Sequence, residues 1–191
     1  LDQRDNHKAC ADWAKKLDLK SAWDVCCFEG GFGLHLAKQG MAVKFIDQSE
    51  AALNTVRANL KLNSLSEASH EFLHQDAFAF LKSEVKEDPD LIVLDPPSFA
   101  RSAKEKEGAL RGFRDMNLRA MKAIAPGGLL VSCVCSHHIS PKEYEKLLRQ
   151  VSHDVRRDVQ ILEYRGPSVD HAASIGFPTG QYLQAWYLLV R

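Results

Sequence analysis

The sequence predicts an α/β fold built on a mostly parallel sheet. Three observations carry that expectation. Short apolar strand-like runs alternate with longer helical patterns, several of those runs stop at an aspartate or a glycine turn, and the last two runs have no helix between them. With 191 residues, 45% hydrophobic and 26% charged, the chain can bury one substantial core and reads as a single domain.

Residues 6–17 read as a helix, and 22–28 as a first strand running into a glycine turn at Gly30, Gly31 and Gly33. The next helix covers about 34–39 and stops at Gly40. A strand at 42–46 ends at Asp47, and Ser49 is placed to cap a helix with Leu53, Val56 and Leu60 on one face. Residues 70–75 make a weaker strand ending at Asp76, followed by a helix near 77–86. The run 90–94 contains Leu-Ile-Val-Leu, the mark of a strand buried on both faces, and stops at Asp95-Pro96-Pro97. Residues 112–125 suit a helix ended by Pro126-Gly127-Gly128, and 129–135 suit another buried strand. Ser140, Pro141 and Glu143 form a capping-box start for a helix to about 153. The runs 159–164 and 182–190 are joined by a loop with no room for a helical crossover, so an antiparallel final pair is expected.

Lysine plus arginine equals aspartate plus glutamate at 25 each, so overall charge gives no long-range attraction to a polyanion. Any nucleic-acid affinity must be local. The segment 101–122 is the basic exception, with Arg101, Lys104, Lys106, Arg111, Arg114, Arg119 and Lys122 against Glu105, Glu107 and Asp115. A solvated helix face is its plain alternative. No apolar run approaches the roughly 20 residues of a membrane span, and no signal-peptide pattern opens the chain, so a cytoplasmic protein without a membrane partner is expected. The 5 cysteines have no C-x-x-C spacing, which argues for neither a disulfide framework nor a metal site. Leu1 in place of Met, before the polar run Asp2-Gln3-Arg4-Asp5, reads as a start inside a longer protein.

Ligands of open α/β sheets sit at the carboxyl ends of the strands, and four strands here end on chemically suggestive residues. The turn from Phe28 through Gly30, Gly31 and Gly33 lets backbone N–H groups approach a ligand. Leu36 stands where a dinucleotide fingerprint wants a third glycine, which argues against a nicotinamide dehydrogenase. Asp47, flanked by Gln48 and Ser49, can accept both hydroxyls of a ribose. Asp76, followed by Ala77, can accept from an adenine amine, and each aspartate could instead serve a helix start. In this order the three features suit S-adenosylmethionine, with Arg4 as a partner for its methionine carboxylate.

The prolines of Asp95-Pro96-Pro97 fix the backbone behind an acceptor. Ser98 follows where enzymes that methylate an exocyclic amine carry an aromatic, and Phe99 comes one place later. Cys133 and Cys135 share a strand face, with Cys133 about 6.6 Å deeper and Cys135 at the carboxyl end near Asp95. C5 of cytosine is too weak a nucleophile to take a sulfonium methyl unaided, and a thiolate added at C6 activates it. A nearby positive group or the sulfonium is expected to favour that thiolate. His137 and His138 receive no role.

Taken together, the Gly30-Gly31-Phe32 turn, Leu94-Asp95-Pro96-Pro97-Ser98-Phe99, Arg111-Gly112-Phe113-Arg114-Asp115-Met116-Asn117 and Cys135-Ser136 resemble the PUA-domain-bearing 23S ribosomal RNA cytosine-5 methyltransferases. The opening Leu1-Asp2-Gln3-Arg4-Asp5, the pair Asp170-His171 and Phe177-Pro178 add to the likeness, which covers nearly the whole chain. The resemblance implies a Rossmann-like class I methyltransferase sheet of seven strands with an antiparallel last strand, Cys135 as nucleophile and Asp95 orienting the target base. It also implies S-adenosylmethionine as cofactor and structured RNA, ribosomal RNA in particular, as partner, with homodimerisation left open. Arg101, Lys104, Arg111 and Arg114 are then the expected RNA contacts. The chain departs from the family where Cys27-Phe28-Glu29 runs straight into Gly30, in place of a Tyr-Thr or Asn-Thr, and in lacking an N-terminal PUA domain. The alternatives are a guanine-N7 methyltransferase, which needs no thiol, another methyltransferase of the same fold acting on a small molecule or a protein, and a catalytically silent RNA-binding module.

Overall fold

The computed structural model describes residues 2–83, 88–100, 102–176 and 180–191. The expected contacts of Arg101 and the Phe177-Pro178 match fall outside them. A seven-stranded sheet is formed by β1 (Ser21–Val25), β2 (Ala42–Asp47), β3 (His70–His74), β4 (Leu91–Leu94), β5 (Gly128–Cys135), β6 (Val159–Arg165) and β7 (Leu183–Val190), in the order β3-β2-β1-β4-β5-β7-β6. The strands from β3 to β5 pair in parallel, while β7 runs antiparallel to both β5 and β6. The missing crossover before β7 therefore has the consequence the sequence implied. Strand order reverses between β1 and β4, and the carboxyl ends of the parallel strands open on one edge.

Alternation within the strands feeds two apolar layers. Leu91, Val93, Leu129 and Val131 face α1 (Arg4–Lys16), α2 (Gly31–Ala37) and α3 (Glu50–Leu62). Ile92, Leu94, Leu130 and Val134 face α4 (Ala77–Lys82), α5 (Lys106–Ala123) and α6 (Pro141–Val155). A strand buried on both faces has no polar alternate positions to spare, which explains the continuous Leu-Ile-Val-Leu of β4. The second layer encloses one polar knot. Ser132 Oγ donates to Asn117 Oδ1 at 2.8 Å and lies 2.7 Å from the Tyr144 hydroxyl, to which Asn117 Nδ2 donates at 2.9 Å. It joins β5, α5 and α6 with every partner satisfied.

Several boundaries differ from the sequence expectation: α2 begins at Gly31 rather than 34, and α4 ends at Lys82, with 84–86 of the expected helix outside the described residues. β1 ends at Val25, three residues before 28, because Cys26 and Phe28 take left-handed backbone conformations at φ +63° and +48°. Helix α5 begins at Lys106 rather than 112, led in by the capping box of Ser102 and Glu105 and a short 3-10 turn. Gly108 and Gly112 lie in its first half and mask the helical pattern there. The Ser49 cap and the Ser140–Glu143 box form as expected. Among the described residues no helix is long and apolar enough to cross a membrane.

Gly33 seats α2 on the sheet, since a Cβ there would meet Phe45 Cε1 at 2.1 Å and Asp24 Oδ2 at 2.8 Å. At Gly112 a Cβ would meet only the rings of Phe99 and Phe78 at 3.5–3.6 Å, ordinary contact distance. Gly33→Ala is therefore expected to destabilise the fold by about 1–3 kcal/mol through overpacking. Gly112→Ala should be neutral or stabilise by up to about 1 kcal/mol through helix propensity. Urea denaturation of both variants checks this, and equal effects would contradict it.

Candidate functional site

Four aspartates crowd the carboxyl edge, and each is given a hydrogen-bond donor. Asp24 Oδ2, inside β1, accepts from the Gly33 N–H at 2.8 Å. Asp47 Oδ2 accepts from the Phe28 N–H and its Oδ1 from the Ser49 N–H, both at 2.9 Å, tying the turn after β1 to the turn after β2. Asp76 Oδ1 accepts from the Ala79 N–H at 2.9 Å as the N-cap of α4. Asp95 Oδ1 accepts from Gln3 Nε2 at 3.0 Å. A carboxylate has about four lone-pair sites, so Asp47 and Asp76 keep free acceptor capacity after these bonds. The helix-start and ligand-binding readings of Asp76 are thus compatible.

Between these strand ends opens a cavity of about 390 Å³. Its polar wall contains Asp47, Gln48, Asp76 and Asp95, and its apolar wall contains Phe28, Ile46, Ala77, Phe78, Phe99 and Met116. The prolines after Asp95 close one side. Acceptors spaced along one wall and aromatic or aliphatic surface on the other suit a ligand with vicinal hydroxyls, an amine and a flat ring.

The glycines expected to cradle a ligand stand back from this cavity. Gly30 adopts φ +81° as the N-cap of α2. A Cβ on Gly31 would strike the His7 ring of α1 at 2.3 Å, and Gly33 is closed by Phe45 and Asp24. They give helix packing its close approach, and Phe28 is the turn residue in the cavity wall. Ser49 also sits behind the wall, with its side chain capping α3. Arg4 does not reach the cavity either: it pairs with Asp5 and, at 3.0 Å, with Asp170.

Strand register places the thiols. Leu94 pairs with Ser132, which levels Asp95 with Cys133 and leaves Cys135 two residues farther out. Cys133 is fully buried, and its thiol lies against the Asp95 carboxyl. Cys135 is partly exposed at the end of β5. The expected positive neighbour of Cys135 is replaced by carboxylates. Burial first, then Asp2 and Asp95, push its thiol above the ordinary cysteine value. Burial likewise raises Asp95 to about 7, opposed by the Gln3 hydrogen bond. Asp24 is raised to about 7, again chiefly by burial.

The basic segment divides in two. Lys106 pairs with Glu143, Arg114 with Asp154 and Arg119 with Asp115. Lys104 and Arg111 make no ion pair among the described residues. They border a second, shallower groove of about 480 Å³ that shares Phe78 and Phe99 with the first cavity. Asp24 and Gln3 were missed by sequence reasoning. A charged residue inside the 22–28 strand was the available signal for Asp24, while nothing local marks Gln3.

The chain matches the methyltransferase small domain model over residues 12–163. It belongs to that family. It is 38% identical over 194 aligned residues to a ribosomal RNA large subunit methyltransferase I of Aeromonas hydrophila, an alignment covering 100% of this chain and 48% of that protein. The chain thus spans about half the length of the curated relatives it matches. A putative methyltransferase from Streptococcus mutans superposes with a TM-score of 0.86 at 18% identity, covering 100% of this chain and 49% of the other. The putative methyltransferase SMU.776, solved in complex with SAH, superposes with a TM-score of 0.83 at 18% identity over 100% of this chain and 50% of its own. These likenesses show the Rossmann-like α/β fold of a methyltransferase domain.

Burial of two carboxyls has a thermodynamic signature. Asp24 and Asp95 titrate near 7 when folded against an ordinary value of 3.8. Between those values the folded domain retains protons that the unfolded chain has released, so their contribution to stability falls as pH rises through that window. His7, lowered by burial to about 4, acts in the opposite sense below 6.5. Asp24→Asn removes one of the two carboxyl contributions and leaves His7 in place. Its stability relative to wild type should therefore improve by a few kcal/mol from pH 5 to pH 8. Urea titrations at both pH values measure this, and an unchanged difference would contradict the assignment.

Proposed function

We propose that this domain transfers a methyl group from S-adenosylmethionine to C5 of a cytosine in ribosomal RNA, with Cys135 as nucleophile. The observation that carries the reading is the staggered pair of thiols beside Asp95: one sealed at the level of the carboxyl, one partly exposed beyond it. The cavity fits the cofactor by its donor set. Asp47 would take the ribose hydroxyls, Asp76 the adenine amine, and Phe28, Ala77 and Phe78 the flat faces of the base. The name of the Aeromonas relative and the SAH in the SMU.776 complex support RNA and cofactor respectively.

In this mechanism the Cys135 sulfur bonds to C6 of the cytosine, and the displaced electron pair moves towards N3. A carboxyl that titrates near 7 can supply the proton that N3 then takes, which is the role assigned to Asp95. Bound S-adenosylmethionine supplies the electrophilic methyl group and a positive sulfonium charge that favours the thiolate. C5 gains the methyl and loses its proton to a base as the C6–sulfur bond breaks, which returns Cys135 as the thiolate, and N3 gives its proton back to Asp95.

Cys135→Ala is expected to lower transfer of labelled methyl to ribosomal RNA by at least about 10³-fold, with S-adenosylhomocysteine affinity unchanged in calorimetry. Cys133→Ala should keep measurable transfer and lose about 1 kcal/mol or more of stability. Full transfer in Cys135→Ala, or loss only in Cys133→Ala, would reject the assignment.

The RNA wall is assigned to Lys104 and Arg111, whose charges are free of ion pairs, rather than to Arg114. Charge reversal at Lys104 and Arg111 together should weaken RNA binding at least about tenfold at low salt, less at high salt, because phosphate contacts release counterions. Arg114→Glu should act mainly on stability, through Asp154. Filter binding across salt concentrations tests this, and equal effects at all three positions would return the basic segment to a uniform patch.

A further inference from the structure

Asp95 differs from the other strand-end carboxyls in where its donor comes from. Asp24, Asp47 and Asp76 accept from backbone N–H groups of nearby turns and helices. Pro96 and Pro97 have no N–H, so the turn after Asp95 cannot supply one at either of its first two positions. Its donors are side chains: the Cys133 thiol on the neighbouring strand, and the amide of Gln3, 92 residues away in sequence. Gln3 is itself held: its Oε1 accepts from Asn6 Nδ2 at 2.6 Å, and Asn6 Nδ2 also donates to the Gly166 carbonyl at 3.1 Å. Asn6 Oδ1 accepts from Arg165 Nε at 3.0 Å. Arg165 is fixed by Glu163, which also accepts from the Trp13 indole. Gln3 and Asn6 are 7% and 1% exposed, so water does not stand in for these partners.

The polarity of this chain is forced from its outer end. A guanidinium only donates, so the Asn6 atom facing Arg165 must be its oxygen. The Asn6 nitrogen then faces Gln3, whose oxygen accepts and whose nitrogen is turned to Asp95. An N–H aimed at Asp95 Oδ1 requires a bare oxygen there, so a proton on Asp95 belongs on Oδ2. We infer that Gln3 and Asn6 are positioning residues that, anchored by Arg165, dictate which oxygen of Asp95 carries the transferable proton. The inference rests on the proposed reading in which Asp95 meets the target base. It also gives α1 a duty beyond packing, because it brings the end of β6 to bear on the end of β4.

The groups facing the Asp95 carboxyl are Gln3 and Asp2 from the N-terminal segment, Asp24 and Cys26 from β1 and its turn, and Cys133 and Cys135 from β5. Asp2 and Asp24 disfavour a second negative charge, whereas Gln3 and Cys133 favour it. Removing or reversing the Gln3 donor therefore leaves the protonated form favoured.

Asn6→Asp is the diagnostic variant. It is nearly isosteric and keeps an acceptor for Arg165, but it cannot donate to Gln3. The Gln3 amide must turn its nitrogen towards position 6 and its oxygen towards Asp95, which draws the Asp95 proton to Oδ1, away from the base. The ionisation constant of Asp95, followed by carbon-13 NMR of its carboxyl, should fall at least about tenfold, moving its titration up by one pH unit or more. In steady-state kinetics kcat at pH 7 should drop at least about tenfold while KM for RNA stays within about twofold. Gln3→Met, which lacks the donor and keeps the bulk, should move the titration the same way and guards against misfolding of the first variant. An unmoved Asp95 titration in either folded variant overturns the inference. Should the wild type transfer no methyl to cytosine, the proposed activity fails, and the NMR titration still decides the polarity of the chain.

Discussion

A carboxyl taken out of water must be given hydrogen-bond donors or lose its charge, and this sheet brings four carboxyls to one edge at different depths, Asp24 buried, Asp47 and Asp95 half-buried and Asp76 exposed. The way each is satisfied organises the site. Asp47 spends one lone pair on each of two turns, and this holds the Phe28 wall at a fixed distance from the Gln48 wall. Asp76 spends one on the start of α4, which seats Ala77 and Phe78 against the cavity. Asp24 accepts from the α2 turn and stays buried behind the glycines, away from the cavity lining. The cavity is what remains between these commitments, with its free acceptors pointing inward.

Asp95 is the exception that gives the edge its chemistry. Its turn opens on prolines, so its amide donor comes through a buried chain reaching from the first helix to β6, beside the Cys133 thiol. The same register that levels Asp95 with Cys133 exposes Cys135 one repeat farther along β5. A sealed thiol and a partly open one, on the same strand face, thus follow from the pairing of β4 with β5 rather than from anything special to either cysteine.

Much of this was legible in the sequence because it is local. Apolar runs of strand length, the Ser49 and Ser140 caps and the aspartates closing β2, β3 and β4 are written in neighbouring residues, and they gave the sheet and the polar wall of the cavity. What was not legible depends on backbone conformation or on distance along the chain. The early end of β1 arises from left-handed Cys26 and Phe28, residue types that seldom signal such a turn. Gly108 and Gly112 hid the first turns of α5, and the free cations of the basic segment could be separated from the paired ones only once Asp154 and Glu143 had a place in space. Arg4 offered the right charge for a carboxylate and found Asp170 instead. Gln3 carries no local signal at all, since its meaning is a partner 92 residues away.

The claim on which the functional reading turns is that the outer thiol of β5 bonds to a pyrimidine ring, and covalent trapping tests it most directly. RNA carrying 5-fluorocytosine at the target position has no C5 proton to release, so the C6–sulfur bond cannot be broken after methyl transfer. Incubation with S-adenosylmethionine, digestion and mass spectrometry of the nucleotide-bearing peptide should place the adduct on Cys135. An adduct on Cys133 or on another residue, or no adduct under conditions in which unmodified RNA is methylated, would contradict the account.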